Sequence, residues 1–114
     1  MLVTRAFTKP VTNVDLPVFT LIGNNAYGVA AFLSNNGTPG IITYRWQESI
    51  DNATWTDIAL AVGTLNPGDT KLDKIVSTRP NVRLMAYAPG GTQLFAGIAQ
   101  FHINSSGLQP ILNM

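Results

Sequence analysis

Short runs rich in Val, Ile, Thr, Phe, Tyr and Trp alternate with glycine and proline along this chain. Such residues suit a pleated, half-buried surface, and the Gly and Pro positions recur too closely to leave room for long helices. The pattern therefore predicts an all-β domain of seven or eight strands. We place strands at Leu2–Lys9, Val18–Gly23, Val29–Ser34, Ile41–Glu48, Thr54–Ala59, Lys71–Val76, Asn81–Ala88 and Gln93–Ile103.

The fourth run shows the clearest alternation of apolar and polar side chains. Tyr44 and Trp46 fall on one face of the strand and Arg45 falls on the other, a period of two that is typical of a strand with one buried side. Val82 and Leu84 share a face in the seventh run in the same way. We predict that these four apolar side chains lie in the core, with Trp46 at its centre.

Two turn signals predict hairpins. Asp51 and Asn52 follow the fourth run, and Asx side chains bond their own backbone in turns, which predicts pairing of the fourth and fifth strands. Pro89-Gly90-Gly91-Thr92 offers positive-φ positions and predicts a second hairpin between the last two strands. Together with a turn at Pro67-Gly68-Asp69, these signals favour an antiparallel two-sheet sandwich over a barrel.

Composition narrows the classes of partner. The 114 residues fit one domain, residues 1–114, and their 46% hydrophobic content supplies a packed core. Charged residues make up only 11%, against about 25% in an average globular protein, which suits an exterior packed against other subunits. The net charge of +1, with scattered Lys and Arg, argues against nucleic acid as a partner. The chain has no run of about 18 apolar residues, so no membrane-spanning segment is predicted.

Candidate chemistry is sparse. The chain has no cysteine, which excludes disulfides and thiolate metal sites, and His102 is its only histidine, with no Gly-x-Ser-x-Gly elbow to accompany it. Asp51, Asn52 and Asp57 lie close in sequence without the spacing of a calcium loop. We therefore expect no catalytic, cofactor-binding or metal-ligating residue, and no enzyme activity.

The candidate partner contacts lie at the chain ends and on outward strand faces. Extended arms are candidates at about 1–16 and about 104–114, and an apolar C-terminal tail either packs back on its domain or reaches a neighbouring subunit. No secretory signal is visible at Met1–Arg5, so we expect a protein used without export by that route. Aromatic and Arg side chains anchor contacts, and outward aromatic rings also stack on sugars. The candidate contacts are Arg45, Arg83, Trp55, Tyr87, Leu108, Ile111 and Leu112.

Two stretches resemble a known family. Tyr44–Ile58, with its pattern Tyr-x-Trp-Gln-x-Ser-x-Asp followed by Thr-Trp-Thr-x-Ile, resembles immunoglobulin-like domains of bacterial surface and phage virion proteins. Thr78–Ala88 is similar to the strand before the last hairpin in such domains. The resemblance implies an immunoglobulin-like β-sandwich with Trp46 as its inter-sheet core residue, although the cysteine pair of antibody domains is absent.

As a whole, the chain also resembles the small accessory proteins that decorate or cement the capsids of tailed phages. That resemblance implies a protein of the capsid exterior, assembled in the host cytoplasm, that binds the major capsid protein and itself as a dimer or trimer without a cofactor. A phage tail or baseplate component is one alternative. An immunoglobulin-like module that binds carbohydrate or a cell surface is another.

Overall fold

The computed structural model describes residues 2–22, 28–36, 40–77 and 79–102 of the chain. These residues form eight strands and no helix, which confirms the predicted all-β class. Each predicted strand overlaps an observed one. The strands are β1 (Leu2–Val11), β2 (Leu16–Leu21), β3 (Gly28–Asn35), β4 (Ile42–Ser49), β5 (Thr56–Leu65), β6 (Thr70–Val76), β7 (Asn81–Tyr87) and β8 (Gln93–His102).

The strands form two four-stranded antiparallel sheets that pack face to face. Sheet A has the order β1-β8-β3-β6 and sheet B the order β2-β7-β4-β5. Pairing joins β1 to β8, β2 to β7, β3 to β6 and β4 to β5. The chain is therefore one long antiparallel ribbon, folded back at the β4–β5 connection and rolled up so that β3 meets β8 and β4 meets β7. This arrangement is a jelly roll.

The strand order corrects the expectation of an immunoglobulin-like sandwich. Immunoglobulin sheets contain neighbours that are consecutive in the chain, such as strands A and B. Among the strands described here, only β4 and β5 are both consecutive and paired. The aromatic pattern around Trp46 does not distinguish the two folds, because either sandwich needs a large buried side chain on a central strand.

The two predicted hairpins have different outcomes. The β4–β5 hairpin is confirmed by its antiparallel register. The β7–β8 hairpin is wrong, because β7 lies in sheet B and β8 in sheet A. The turn itself is present, since Gly91 has a φ of 122° and donates its N–H to the Ala88 carbonyl at 3.2 Å. However, the Ala88 N–H donates to the Thr12 carbonyl at 2.6 Å, which ties this connection to the one between β1 and β2.

The candidate arms fall partly outside the described residues. Residues 2–11 of the candidate N-terminal arm form β1 and pair with β8 along their whole length, so they belong to the sandwich and are not a free arm. The candidate C-terminal arm at about 104–114, with Leu108, Ile111 and Leu112, lies outside the part of the chain that the structure describes.

The core lies between the sheets and is centred on the aromatic side chains of β4. Trp46 is 0% exposed, and Tyr44, Val82 and Leu84 are buried beside it. The Trp46 ring meets the ring of Phe19 edge to face, with 6.3 Å between their centroids. Because such contacts add to the burial of a large apolar area, this one side chain fixes the spacing of the sheets around it.

Strand β5 carries a large irregular bulge. Arg45 pairs with Val62 and Gln47 pairs with Asp57, so that residues 58–61 lie opposite Trp46 alone. Within the bulge Leu60 has a φ of 65° and is 97% exposed. The left-handed conformation costs an L-residue roughly 1–2 kcal/mol. Strand β5 continues past the predicted end at Ala59 and ends at Leu65.

Replacing Trp46 with alanine should lower the free energy of unfolding by about 3–5 kcal/mol, because it removes buried area and leaves a cavity between the sheets. Urea denaturation followed by circular dichroism measures this change. The control is Trp55→Ala, which truncates a half-buried tryptophan outside the core. A loss for Trp46→Ala no larger than that of the control would contradict the assigned core.

Replacing Leu60 with glycine should raise the free energy of unfolding by about 0.5–1 kcal/mol, because glycine adopts positive φ without steric cost and no buried contact is lost. Val62→Gly is the matched control on the same strand, because Val62 is also exposed but has no positive φ. We expect the control to be destabilised. Equal destabilisation of both variants would show that residue 60 is not held in a left-handed conformation.

Candidate functional site

An apolar row crosses the outer face of sheet A. Ala6 pairs with Ile98, Ile98 with Phe32 and Phe32 with Leu72, so the row includes one residue from each strand of the sheet. Directly opposed residues in a sheet have Cβ atoms about 4.5–5.5 Å apart, so these side chains form one continuous surface. Phe32 is 55% exposed, Ile98 50% and Leu72 45%, and Ala6 is exposed as well.

The side chains around the apolar row are mostly small and carry little charge. In the described part of the chain, Lys74 is the only lysine, arginine, aspartate or glutamate on this outer face. Shallow depressions of about 360 and 310 Å³ lie on the two sides of the ridge formed by Phe32 and Ile98. The other side chains around the ridge include Thr8, Ala30, Ser34, Ala96 and Gln100.

The sequence analysis missed this surface, although a signal for it was present. Val29–Leu33 and Leu94–Ala99 are continuous apolar runs without the alternation seen around Trp46. Strands of this type have both faces apolar, which is typical of sheets covered on both sides. In this sandwich only the inner face is covered by the described residues, so the outer face remains exposed.

The outer face of sheet B carries three of the candidate contacts predicted from sequence. The guanidinium of Arg83 lies over the Trp55 ring, 4.3 Å from its centroid, and Nε of Arg83 donates to Oε1 of Gln47 at 2.9 Å. Nε2 of Gln47 donates in turn to Oδ1 of Asp57 at 2.9 Å. Arg45 forms an ion pair with the same Asp57 at 3.3 Å and with Asp15 at 2.7 Å.

This polar network is largely satisfied by its own members. Burial lowers the pKa of Arg83, and the neighbouring charge of Arg45 lowers it further. Burial also acts to lower the pKa of Arg45, but hydrogen bonding and attraction to Asp15 and Asp57 outweigh it, so that pKa is raised. Because Arg83 covers one face of the Trp55 ring, that face is closed to a stacked sugar.

Tyr87, the fourth outward candidate, lies apart from the network. It pairs with Thr43 near the end of β7, and it is half-buried. The structure thus brings Arg45, Arg83 and Trp55 together and leaves Tyr87 at the margin of the same face.

A half-buried carboxylate connects the two sheets. Asp73 of β6 accepts hydrogen bonds from the Tyr44 hydroxyl at 3.2 Å and from Nε1 of Trp46 at 3.3 Å. Lys71 Nζ lies 3.9 Å from the same carboxylate. Burial, followed by the charge of Asp73, raises the pKa of Tyr44. The phenol therefore stays protonated and serves as a hydrogen-bond donor, which is a structural role.

Other chemistry is limited within the residues described. They contain no group of three or more His, Asp or Glu side chains placed to hold a metal ion. None of their segments forms a helix that could cross a membrane. Asp51 accepts hydrogen bonds from the backbone of Thr54 and Ala53 and from Ser49, which lowers its pKa. These contacts form the predicted turn.

No family model matches the chain, and no curated protein matches it in sequence. Solved structures share its fold. PirA is 15% identical with a TM-score of 0.63, and the match covers 85% of this chain and 93% of PirA. The SPBc2 prophage-derived protein YomS is 10% identical with a TM-score of 0.58, over 88% of this chain and 95% of YomS. A protein of the disulfide-linked pili of Bacillus endospore appendages is 11% identical with a TM-score of 0.57, over 90% and 89% of the two chains. These similarities establish the fold alone.

Replacing Asp73 with asparagine should lower the free energy of unfolding by about 1–3 kcal/mol, because the amide cannot replace both acceptor oxygens and leaves one buried donor without a partner. Thermal and urea unfolding measure the change. Asp57→Asn is the control, since it breaks an exposed ion pair worth about 1 kcal/mol or less. If the two variants lost the same stability, Asp73 would not connect the sheets.

Proposed function

We propose that this chain is a structural protein of a phage virion, a head decoration or cement protein that binds between major capsid protein subunits and stabilises the shell. The observation that carries the proposal is the apolar row on sheet A. The domain already buries a complete core between its sheets, so the row contributes nothing to that core. Exposed apolar patches on otherwise polar domains mark sites of protein contact.

The fold and the composition support the same class of function. YomS, which shares the jelly-roll fold of this chain, is a prophage-derived protein, and jelly rolls are common in viral capsid proteins. Charged residues make up only 11% of the chain, which suits a surface that is packed against other subunits. The location on the capsid exterior belongs to this proposal.

The mechanism is binding energy without chemistry, and no cofactor is involved. Covering exposed apolar area contributes roughly 25 cal/mol per Å², and a specific interface of standard size buries about 1,600 Å² in total. One such contact is modest once the cost of association is subtracted. A shell repeats the contact at every equivalent site, so each bound copy links subunits and raises the cost of separating them.

The alternatives differ in how well the geometry supports them. A tail or baseplate component would use the same apolar row, and only the choice of particle separates the two locations. A carbohydrate-binding module is less well supported, because one face of Trp55 is occupied by Arg83.

The test uses purified protein and phage shells that lack it. We expect the protein to co-sediment with the shells and to raise the temperature at which they open. Phe32→Glu should abolish both effects, because it places a charge in the middle of the apolar row. The control is Ile50→Glu, which changes an apolar residue that is 69% exposed in the β4–β5 connection and belongs to neither outer face.

The outcomes separate the candidate locations. Binding to isolated tails and not to shells would support the tail component. Failure to bind either particle, with no change in shell opening temperature, would overturn the virion proposal.

A further inference from the structure

We propose that a second copy of this chain covers the apolar row, so that two copies pack sheet A against sheet A about a two-fold axis. The inference rests on the proposed function and deepens it: the apolar row acts in the particle by joining two copies of the chain, and the contact with the shell comes from the outward faces of the dimer. In such a dimer the two sheet B faces point outwards, and they carry Arg45, Arg83 and Trp55 towards the shell.

The charge of the face permits self-association. A two-fold interface brings one surface against itself, so any concentrated charge would meet its own sign. The described outer face of sheet A has no aspartate or glutamate, and its single lysine, Lys74, lies on the edge strand β6. A two-fold axis beside the ridge of Phe32 and Ile98, on the Ala96 side and so away from Lys74, keeps the two Lys74 side chains on opposite sides of the axis, where both stay hydrated.

The shape of the face is complementary to itself. Phe32 and Ile98 form a ridge at the middle of the sheet. The depression on one side is lined by the small residues Ser34, Ala96 and Gly97, and the one on the other side by Ala30, Lys74 and Gln100. Rotation about a two-fold axis beside the ridge seats the ridge of each copy in a depression of the other. This is the interdigitation by which two sheets pack about 10 Å apart inside a sandwich.

The available area is sufficient for a reversible dimer. Strands spaced about 4.8 Å apart and rising about 3.3 Å per residue give the four-stranded face dimensions of about 19 by 26 Å. Each copy would then bury about 500 Å² and the pair about 1,000 Å², which is the lower limit for a specific interface. We therefore expect dissociation on dilution.

The first measurement is sedimentation of the full chain over a range of concentrations. The parent protein should sediment with twice the mass of one chain and should dissociate on dilution. Phe32→Glu should remain a monomer at every concentration, because it sets two carboxylates against each other in the interface. Val62→Glu should behave like the parent. Circular dichroism and thermal unfolding of both variants show whether each is folded.

Cross-linking provides a second measurement that does not depend on a disruptive charge. The chain contains no cysteine, so Ile98→Cys introduces one thiol close to the proposed axis. Under oxidising conditions it should form covalent dimers much faster than Val62→Cys does. Equal rates for the two variants would overturn the sheet A interface.

The remaining outcomes identify another occupant. If the full chain is monomeric and removal of residues 103–114 produces the dimer, the apolar C-terminal segment covers the row and the inference is overturned. A monomer whose shell binding still depends on Phe32 would overturn the dimer and leave the proposed function intact. A dimer that binds no phage particle would support the sheet A interface and overturn the proposed function.

Discussion

The hydrogen bond between the indole of Trp46 and the carboxylate of Asp73 joins the largest core side chain to the opposite sheet. A buried tryptophan fills the space between sheets, but its N–H needs an acceptor. Asp73 supplies that acceptor from the edge strand β6 and accepts the Tyr44 hydroxyl as well. Two aromatic rings can therefore be buried side by side without leaving either polar group unpaired, and this one carboxylate links β6 of sheet A to β4 of sheet B.

The edges and the faces of the sandwich favour different kinds of contact. Arg5 and Lys9 occupy core-side positions of the edge strand β1, and Lys71 and Asp73 do the same on β6. Inward-pointing charges on edge strands oppose the addition of another strand. The outer face of sheet B carries ion pairs among its own side chains, so it is polar and offers no apolar area for self-association. The outer face of sheet A has neither feature, and for this reason we propose association through this face and not extension of a sheet.

The sequence predicted local structure well and pairing poorly, and the reason is physical. Alternation around Trp46 indicates which side of the strand is buried, and Asp51 and Asn52 indicate a turn. Both features can be predicted because each depends only on residues close together in the chain. Gly90 and Gly91 also report a turn, but they carry no information about whether it joins neighbours in one sheet or crosses between sheets. The apolar row shows the same limit, because Phe32 and Ile98 become neighbours only once β3 and β8 pair.

If the chain reinforces a shell as proposed, it must hold at least two subunits, and its two faces would then suit different parts of that task. An apolar face buries area without strong directional preference, whereas hydrogen-bonded Arg and Trp side chains fix orientation. A dimer formed through sheet A would turn one polar face of each copy towards the outside, giving two equal binding surfaces related by symmetry. Binding through the first surface then raises the effective concentration of the second. Two shell subunits are in this way linked by one weak self-contact and one polar contact that occurs twice.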